Sequence, residues 1–316
     1  MSLHDPDVTE KTQKAVVDVP VPRAGADAAT ADATGTTRRR LRLPRFVRSQ
    51  PLGAVALTLI AFFVVVAALA PWISPYDPMA QHREAVMMPP SADFLFGTDD
   101  LGRDVFSRVL YGARTSLLIS VATLLCGGLI GVAIGVLSGY FGGTWVDNIL
   151  QRFMDALMAV PSIVLLLFIA ALLGPSIRNT VIALSLLVIP SFNRVSRGEM
   201  LRIREETYVE AARAVGCSTP RIIFRYGLPN LMAPMFVLVS LVFAIVLIAE
   251  SSLSFLGIGT PPPTPSWGRM LSEGSAQLEI APWMALFPGL ALSFSVLAFN
   301  LLGDALRDHL DPKQRR

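Results

Sequence analysis

Few side chains in this 316-residue sequence are of the kinds that do chemistry, and their spacing argues against most of it. The three histidines, His4, His82 and His309, are scattered, which gives neither metal-ligand spacing nor a base beside a nucleophile. The three lysines, Lys11, Lys14 and Lys313, all stand outside any G-x-x-x-x-G-K-S/T phosphate loop, so the chain does not bind ATP by that route. Asp99, Asp100 and Asp104 form an acidic cluster without the D-x-D/N-x-D/N-G spacing of a calcium loop, and helix capping is their better use. No catalytic set, metal set, dinucleotide fingerprint or nucleic-acid motif emerges, so neither an enzyme nor a nucleic-acid binder is predicted.

One polar stretch stands out, "TYVEAARAVGCSTPRIIFRYGLPN" over 207–230. Thr207 followed three residues later by Glu210 reads as a capping box, in which each side chain satisfies a free amide of the first turn. Helix formers follow through Ala211, Ala212 and Ala214, and Gly216 stands where a left-handed residue would end the helix after about two turns. Ser218 or Thr219 is placed to cap a second helix that starts at Pro220, and Gly227 with Pro229 to stop it. Helices shorter than about 12 residues are marginal in water, so the first of these needs a surface to lie on. From the residues alone, that surface is either a groove in another protein or the chain's own spans.

The elements that must carry this segment are membrane spans. Hydrophobic residues make up 53% and charged residues 16% of the chain, and the mean hydropathy is +0.54. An apolar core of about 30 Å needs about 20 helical residues. Uncharged runs of that length lie between Arg48 and Asp77, Arg114 and Asp147, Asp155 and Arg178, Arg225 and Glu250, and Glu279 and Asp304. A sixth, between Arg178 and Arg194, is shorter and contains Pro190. Six spans put both termini on one side. With the termini inside, 21 of the 27 Lys and Arg residues fall on the cytoplasmic side, as basic residues in short loops do. Cys126 then lies in a span and Cys217 in the cytoplasm, and no disulfide joins them.

The expected fold is an all-α, multi-pass protein of the plasma membrane with six transmembrane helices. Residues 1–48 are a disordered tail ending in the basic run "RRRLRLPRFVR", which anchors against anionic lipid. Residues 49–76 are the first span, and 77–114 are an external loop whose amphipathic helix lies at the interface, with Val105, Phe106, Val109 and Leu110 on one face. Spans two to six occupy 115–303 and are interrupted by the cytoplasmic loop 194–227; residues 304–316 return to the cytoplasm. Gly127, Gly131, Gly135 and Gly139 recur every four residues and form a helix-packing face. The proline-rich "GTPPPTPSWG" (259–268) is a stiff outer loop whose Trp267 suits the lipid headgroup level. Ionisable residues such as Asp155, Arg194 and Glu250 fall near span ends, which disfavours a proton- or sodium-driven secondary carrier. Ser185, Ser191, Asn193, Ser240, Ser293 and Asn300 are polar span residues for a wet path or for packing, and the substrate path stays unassigned.

The stretch "EAARAVG…YGLPN" resembles the EAA loop of ABC importer permeases, on Glu210, Ala211, Ala212, Gly216, Leu228 and Pro229; Tyr226 stands where that family usually has isoleucine. The blocks "FGTDDLGRDVFSRVLYGARTSL", "SGYFGGTWVDNILQRFMDAL", "AESSLSFLGIGTPPPTPSWGRML" and "LFPGLALSFSVLAFNLLGDALRDHLDP" extend the likeness from about residue 45 to the C-terminus. They look like the C-type permease subunit of dipeptide, oligopeptide and nickel importers. The resemblance implies a type I, MetI-like importer fold in which the loop is the coupling helix that seats in an ATPase. It implies a homologous B-type permease, two cytoplasmic ATPase subunits that hold ATP and magnesium, and an extracytoplasmic solute-binding protein. Cargo would be a dipeptide or oligopeptide, with a nickel chelate or haem as alternatives.

Overall fold

The computed structural model describes residues 51–310, and every regular element among them is a helix. The expected N-terminal tail and residues 311–316 lie outside the described residues. Helix α1 (Pro51–Ile73) runs from the first described residue. Helix α2 (Val105–Thr123) starts at Asp104, whose carboxylate accepts the Ser107 N–H at 2.8 Å, the capping use expected of that aspartate. It passes through a π-turn (Leu124–Gly128) into α3 (Leu129–Tyr140) without leaving the helical path. The helix expected to lie at the interface is thus continuous with the helix that follows it.

Helices α4 (Trp145–Ala159) and α5 (Ser162–Leu173) meet at 89°. The bend has a local cause. Pro161 lacks an N–H and forces the residue before it out of the helical region, and Val160 sits at φ −92°, ψ 133°. Helix α6 (Ile177–Arg204) follows, then the short α7 (Thr207–Ala214) and α8 (Thr219–Ile222). A second π-turn (Ile223–Gly227) leads into α9 (Leu228–Phe255); α10 (Trp267–Ser275) and α11 (Trp283–Leu310) complete the described residues.

Among the described residues, four helical stretches are long and apolar enough to cross a membrane: Pro51–Ile73, Val105–Tyr140, Thr219–Phe255 and Trp283–His309. The bent pair α4–α5 makes a fifth if it counts as one span. The sixth expected crossing, between Arg178 and Arg194, is not an apolar helix of its own. It is the first part of α6, which runs on through Arg194, Arg197, Glu199, Arg202 and Arg204.

The core gathers where α2, α6 and α9 meet, around Leu117, Leu184, Phe192, Met200, Leu231 and Leu247. Hydrocarbon is as apolar as leucine, so close fit and dispersion rather than transfer from water hold such helices together. The glycine face of α3 supplies the closest fit. A Cβ at Gly127, Gly131, Gly135 or Gly139 would lie 2.7, 2.6, 2.5 and 2.7 Å from the carbonyl oxygens of Ser185, Ile189, Asn193 and Arg197 on α6. Both ladders step by four residues, so the two backbones touch along more than three turns.

Candidate functional site

The segment 207–230 is built onto the ends of α3, α6 and α9. Only Glu205 and Glu206 separate α6 from α7. Thr207 was expected to cap α7; instead it is the first helical residue, and Glu206 holds the cap position at φ −73°, ψ 139° with no side-chain cap bond. The short linker explains this. The Glu206 carbonyl already accepts the Val209 and Glu210 amides at 2.9 and 3.2 Å, and its carboxylate is drawn back to Arg202 at 3.0 Å, so Thr207 has no amide left to cap.

The other end of α7 follows the residue types closely. Gly216 has φ +81°, a left-handed conformation that a side chain disfavours. Its N–H donates to the Arg213 carbonyl at 2.9 Å and that of Cys217 to the Ala212 carbonyl at 3.0 Å, the paired bonds of a Schellman end. Helix α8 is a single turn, and Gly227 and Pro229 do not stop the chain as the sequence suggested. The Leu228 N–H reaches back five residues to the Ile223 carbonyl, and this wider turn accommodates the missing N–H of Pro229 and runs straight into α9.

Apolar burial and polar contacts hold the segment in place. Val209, Ala212, Ile222 and Ile223 are buried, near Met200 and Ile203 of α6. The Tyr140 hydroxyl lies 3.3 Å from Thr219 Oγ1, and the Arg213 guanidinium stands 5.5 Å above the Tyr140 ring. Asn230 Nδ2 donates to the Tyr226 carbonyl at 2.7 Å and to the Tyr208 hydroxyl at 3.4 Å. Arg204 Nη1 donates to the Gly142 carbonyl at 2.9 Å beside them.

What stays uncovered matters more. Glu210, Ala211 and Gly216 are exposed, Val215 is 80% exposed and Phe224 69%. Of the six residues matched to the loop pattern, Glu210, Ala211, Gly216 and Pro229 face outward; Ala212 is turned into the chain's own core, and Leu228 packs on its edge. A helix that buries Val209 buries Ala212 with it, three residues on, which leaves Glu210, Ala211 and Val215 on the uncovered side.

A polar knot that the sequence did not signal lies beside the segment. Arg197 on α6 donates from Nε and Nη2 to the two carboxylate oxygens of Asp147 on α4, each at 2.8 Å. Ser138 also donates to that carboxylate, and the Gly143 N–H reaches it at 3.1 Å. Gln151 Nε2 donates to Ser138 Oγ at 2.7 Å and exchanges longer bonds with Asn193. Asn193 is one of the polar span residues, and Arg197 lies one turn beyond it on the face that meets the glycines, but neither position points to Asp147 as the partner.

The far end of the helices is closed by charge. Arg103 and Arg108 share Asp99 and Glu273, with Arg103 Nε 2.6 Å from Asp99 and Arg108 Nη2 3.0 Å from Glu273. Arg269 pairs with Glu273 at 3.0 Å. Burial, and next the neighbouring Asp99 carboxylate, push the Asp100 carboxyl above its ordinary value. Trp267, expected at the headgroup level, is fully buried, with its indole N–H donating to the Val109 carbonyl at 3.1 Å. Glu250 is fully buried as well, and accepts from Ser254 Oγ at 2.8 Å. Of the six polar span residues, Ser185, Asn193 and Ser240 are buried with partners inside the chain, whereas Ser191, Ser293 and Asn300 are exposed. Among the described residues, no group of three or more His, Cys, Asp or Glu side chains is placed to hold a metal ion.

Residues 131–316 match the family described as binding-protein-dependent transport system inner membrane component. The chain belongs to this family. Residues 44–90 match a second one, the N-terminal TM domain of oligopeptide transport permease C. The chain is 39% identical over 269 residues to the dipeptide transport system permease protein of Alkalihalophilus pseudofirmus, covering 85% of this chain and 88% of the relative. It is 42% identical over 268 residues to the di/tripeptide transport system permease protein of Pseudomonas aeruginosa (83% and 88% covered). It is 43% identical over 270 residues to the glutathione transport system permease protein of Escherichia coli O6:K15:H31 (85% and 89% covered). Members of this family are transport components of the inner membrane, which agrees with the long apolar helices among the described residues.

Proposed function

We propose that this chain is the C-type transmembrane subunit of an ATP-driven importer of short peptides, and that the segment from Thr207 to Gly227 is its joint to a cytoplasmic ATPase. The observation that carries the reading is the two-turn helix α7, which is anchored on one side by Val209 and Ala212 and leaves Glu210, Ala211 and Val215 uncovered. A helix this short needs support on both faces to act as a stiff element, and its own chain supplies one.

In this reading α6 crosses the membrane with its apolar half and enters the cytoplasm with its arginines, giving six crossings and cytoplasmic termini. A homologous B-type permease completes the path, two ATPase subunits hold ATP and magnesium, and an extracytoplasmic protein delivers the cargo. Peptide cargo is supported by the dipeptide, di/tripeptide and glutathione relatives. The path must be wet, because peptide amides and charged ends are costly in hydrocarbon. Closure of the ATPase pair on ATP draws α7 with it and rocks the attached helices between inward-open and outward-open arrangements; both ends of such a lever must bias the same two states.

The test is uptake of a labelled dipeptide into proteoliposomes holding the full complex, with Glu210→Ala as the variant. The reading predicts an intact complex whose uptake falls roughly tenfold, in the range of typical couplings between sites. An intact Glu210→Ala complex with normal uptake and normal ATP hydrolysis removes the segment from the mechanism. Uptake by this chain without any ATPase overturns the importer reading, and uptake of a nickel chelate or haem in place of peptide overturns the cargo.

A further inference from the structure

We propose that the Asp147–Arg197 ion pair is a positioning contact that passes displacement of the coupling segment to the bent helices α4 and α5. The inference rests on the coupling reading above and names the residues through which it acts.

Helix α4 has few other attachments. Of its fifteen residues only Asp147 and Met154 are buried, and Trp145, Ile149 and Phe153 are all exposed. Beside Gln151 and Met154, the Asp147 carboxylate is one of its few ties to the body, and it is tied three ways: to Arg197 on α6, to Ser138 on α3, and to the Gly143 amide in the intervening turn. Arg197 stands two turns before the end of α6, and Arg204 at that end reaches the same turn through the Gly142 carbonyl. Helix α6 and the α3–α4 turn are thus pinned together immediately before the coupling segment begins.

The form of the contact suits transmission. A single hydrogen bond lets its two elements swivel, whereas a guanidinium that meets both carboxylate oxygens at 2.8 Å fixes their relative orientation. Ser138, Gln151 and Asn193 bond to one another and to the pair around it, so the contact is part of a network rather than an isolated bridge. Beyond α4 the chain turns by 89° into α5, which lines an apolar groove with α6 and α9 through Ser162, Leu166, Leu187, Ile245 and Ser252. Helix α6 touches that groove directly through Leu187 and joins the far end of α5 through residues 174–176, so what the ion pair adds is a tie to α4 and, past the Val160–Pro161 bend, to the near end of α5.

The deciding quantity is the number of cargo molecules taken up per ATP hydrolysed, measured in proteoliposomes holding the complete complex with Asp147→Asn or Arg197→Lys. Asp147→Asn is expected to lower that ratio roughly tenfold while hydrolysis persists, and Arg197→Lys, which keeps the charge and loses one prong, to lower it less. If Asp147→Asn fails to assemble, the Arg197→Lys ratio decides. An unchanged ratio, or uptake and hydrolysis that fall only in proportion to the amount of complex, makes the pair a structural staple and overturns the proposal. A wild-type complex without ATP-dependent uptake is a separate outcome, which overturns the coupling reading itself.

Discussion

The two ends of the helical body are held by opposite means. At the end formed by the loop before α2 and by α10, Arg103, Arg108, Asp99 and Glu273 neutralise one another, and Arg108 is only 1% exposed. At the end formed by α7 and α8, the ion pairs Arg202–Glu199, Arg202–Glu206 and Arg204–Glu205 are largely exposed, and apolar Val215 and Phe224 stand in the open. Exposed pairs contribute at most about 1 kcal/mol each, whereas losing one partner of a buried pair costs about 3 to 5 kcal/mol. The first end is therefore a fixed closure. The second is a surface left for something else to complete, and the same chain needs both if one end is to move while the body holds its shape.

The largest effect is expected where the contrast is sharpest. Arg108→Met leaves Asp99 and Glu273 facing each other with less positive charge in a buried site, and is predicted to destabilise the protein by about 3 to 5 kcal/mol, read as a clear fall in the apparent thermal midpoint in detergent. A midpoint like that of the wild type would mean that the closed end is no more tightly held than the open one.

Gly216→Ala probes the open end. No heavy atom lies within 4 Å of the added methyl, so only the positive φ opposes it, at a cost of about 1 to 2 kcal/mol. The expected outcome is local: amide hydrogen exchange over residues 212–217 rises by about tenfold with the global midpoint unchanged. A matching fall in the midpoint would show that α7 is part of the body rather than an appendage.

The smallest effect is expected at Asp100. Its carboxyl is raised above the ordinary 3.8 in the folded protein by burial and by Asp99, so the folded state binds more protons than the unfolded one as pH climbs through this window. Stability contributed by this group is accordingly lost as pH rises. The midpoint of Asp100→Asn, compared with wild type, should gain slightly as pH rises above the ordinary carboxylate value. A constant difference across that rise would contradict the assignment.

Much of this arrangement was legible in the residues, and the misreadings have physical causes. Asp104 was readable as a cap and Gly216 as a left-handed helix end, because both are local demands of the backbone. The glycine repeat announced a packing face, although only the folded chain shows that α6 is what meets it. Trp267 was read as a headgroup residue from its proline-rich neighbourhood; its buried position depends on the Val109 carbonyl, 158 residues away in sequence. Pro229 was read as a stop, which holds for an α-helical ladder and fails where a π-turn widens it. The knot around Asp147 joins residues up to 59 positions apart, beyond the reach of any periodicity in the sequence.

The measurement that bears most directly on the open end is a thiol cross-link from the exposed face of α7. With Cys126 and Cys217 replaced by serine, Val215→Cys in the assembled, transporting complex is predicted to link to the ATPase subunit and to remain beyond the reach of an impermeant reagent added outside intact cells. Labelling from outside, or a functional complex in which position 215 links to no ATPase, would contradict the account.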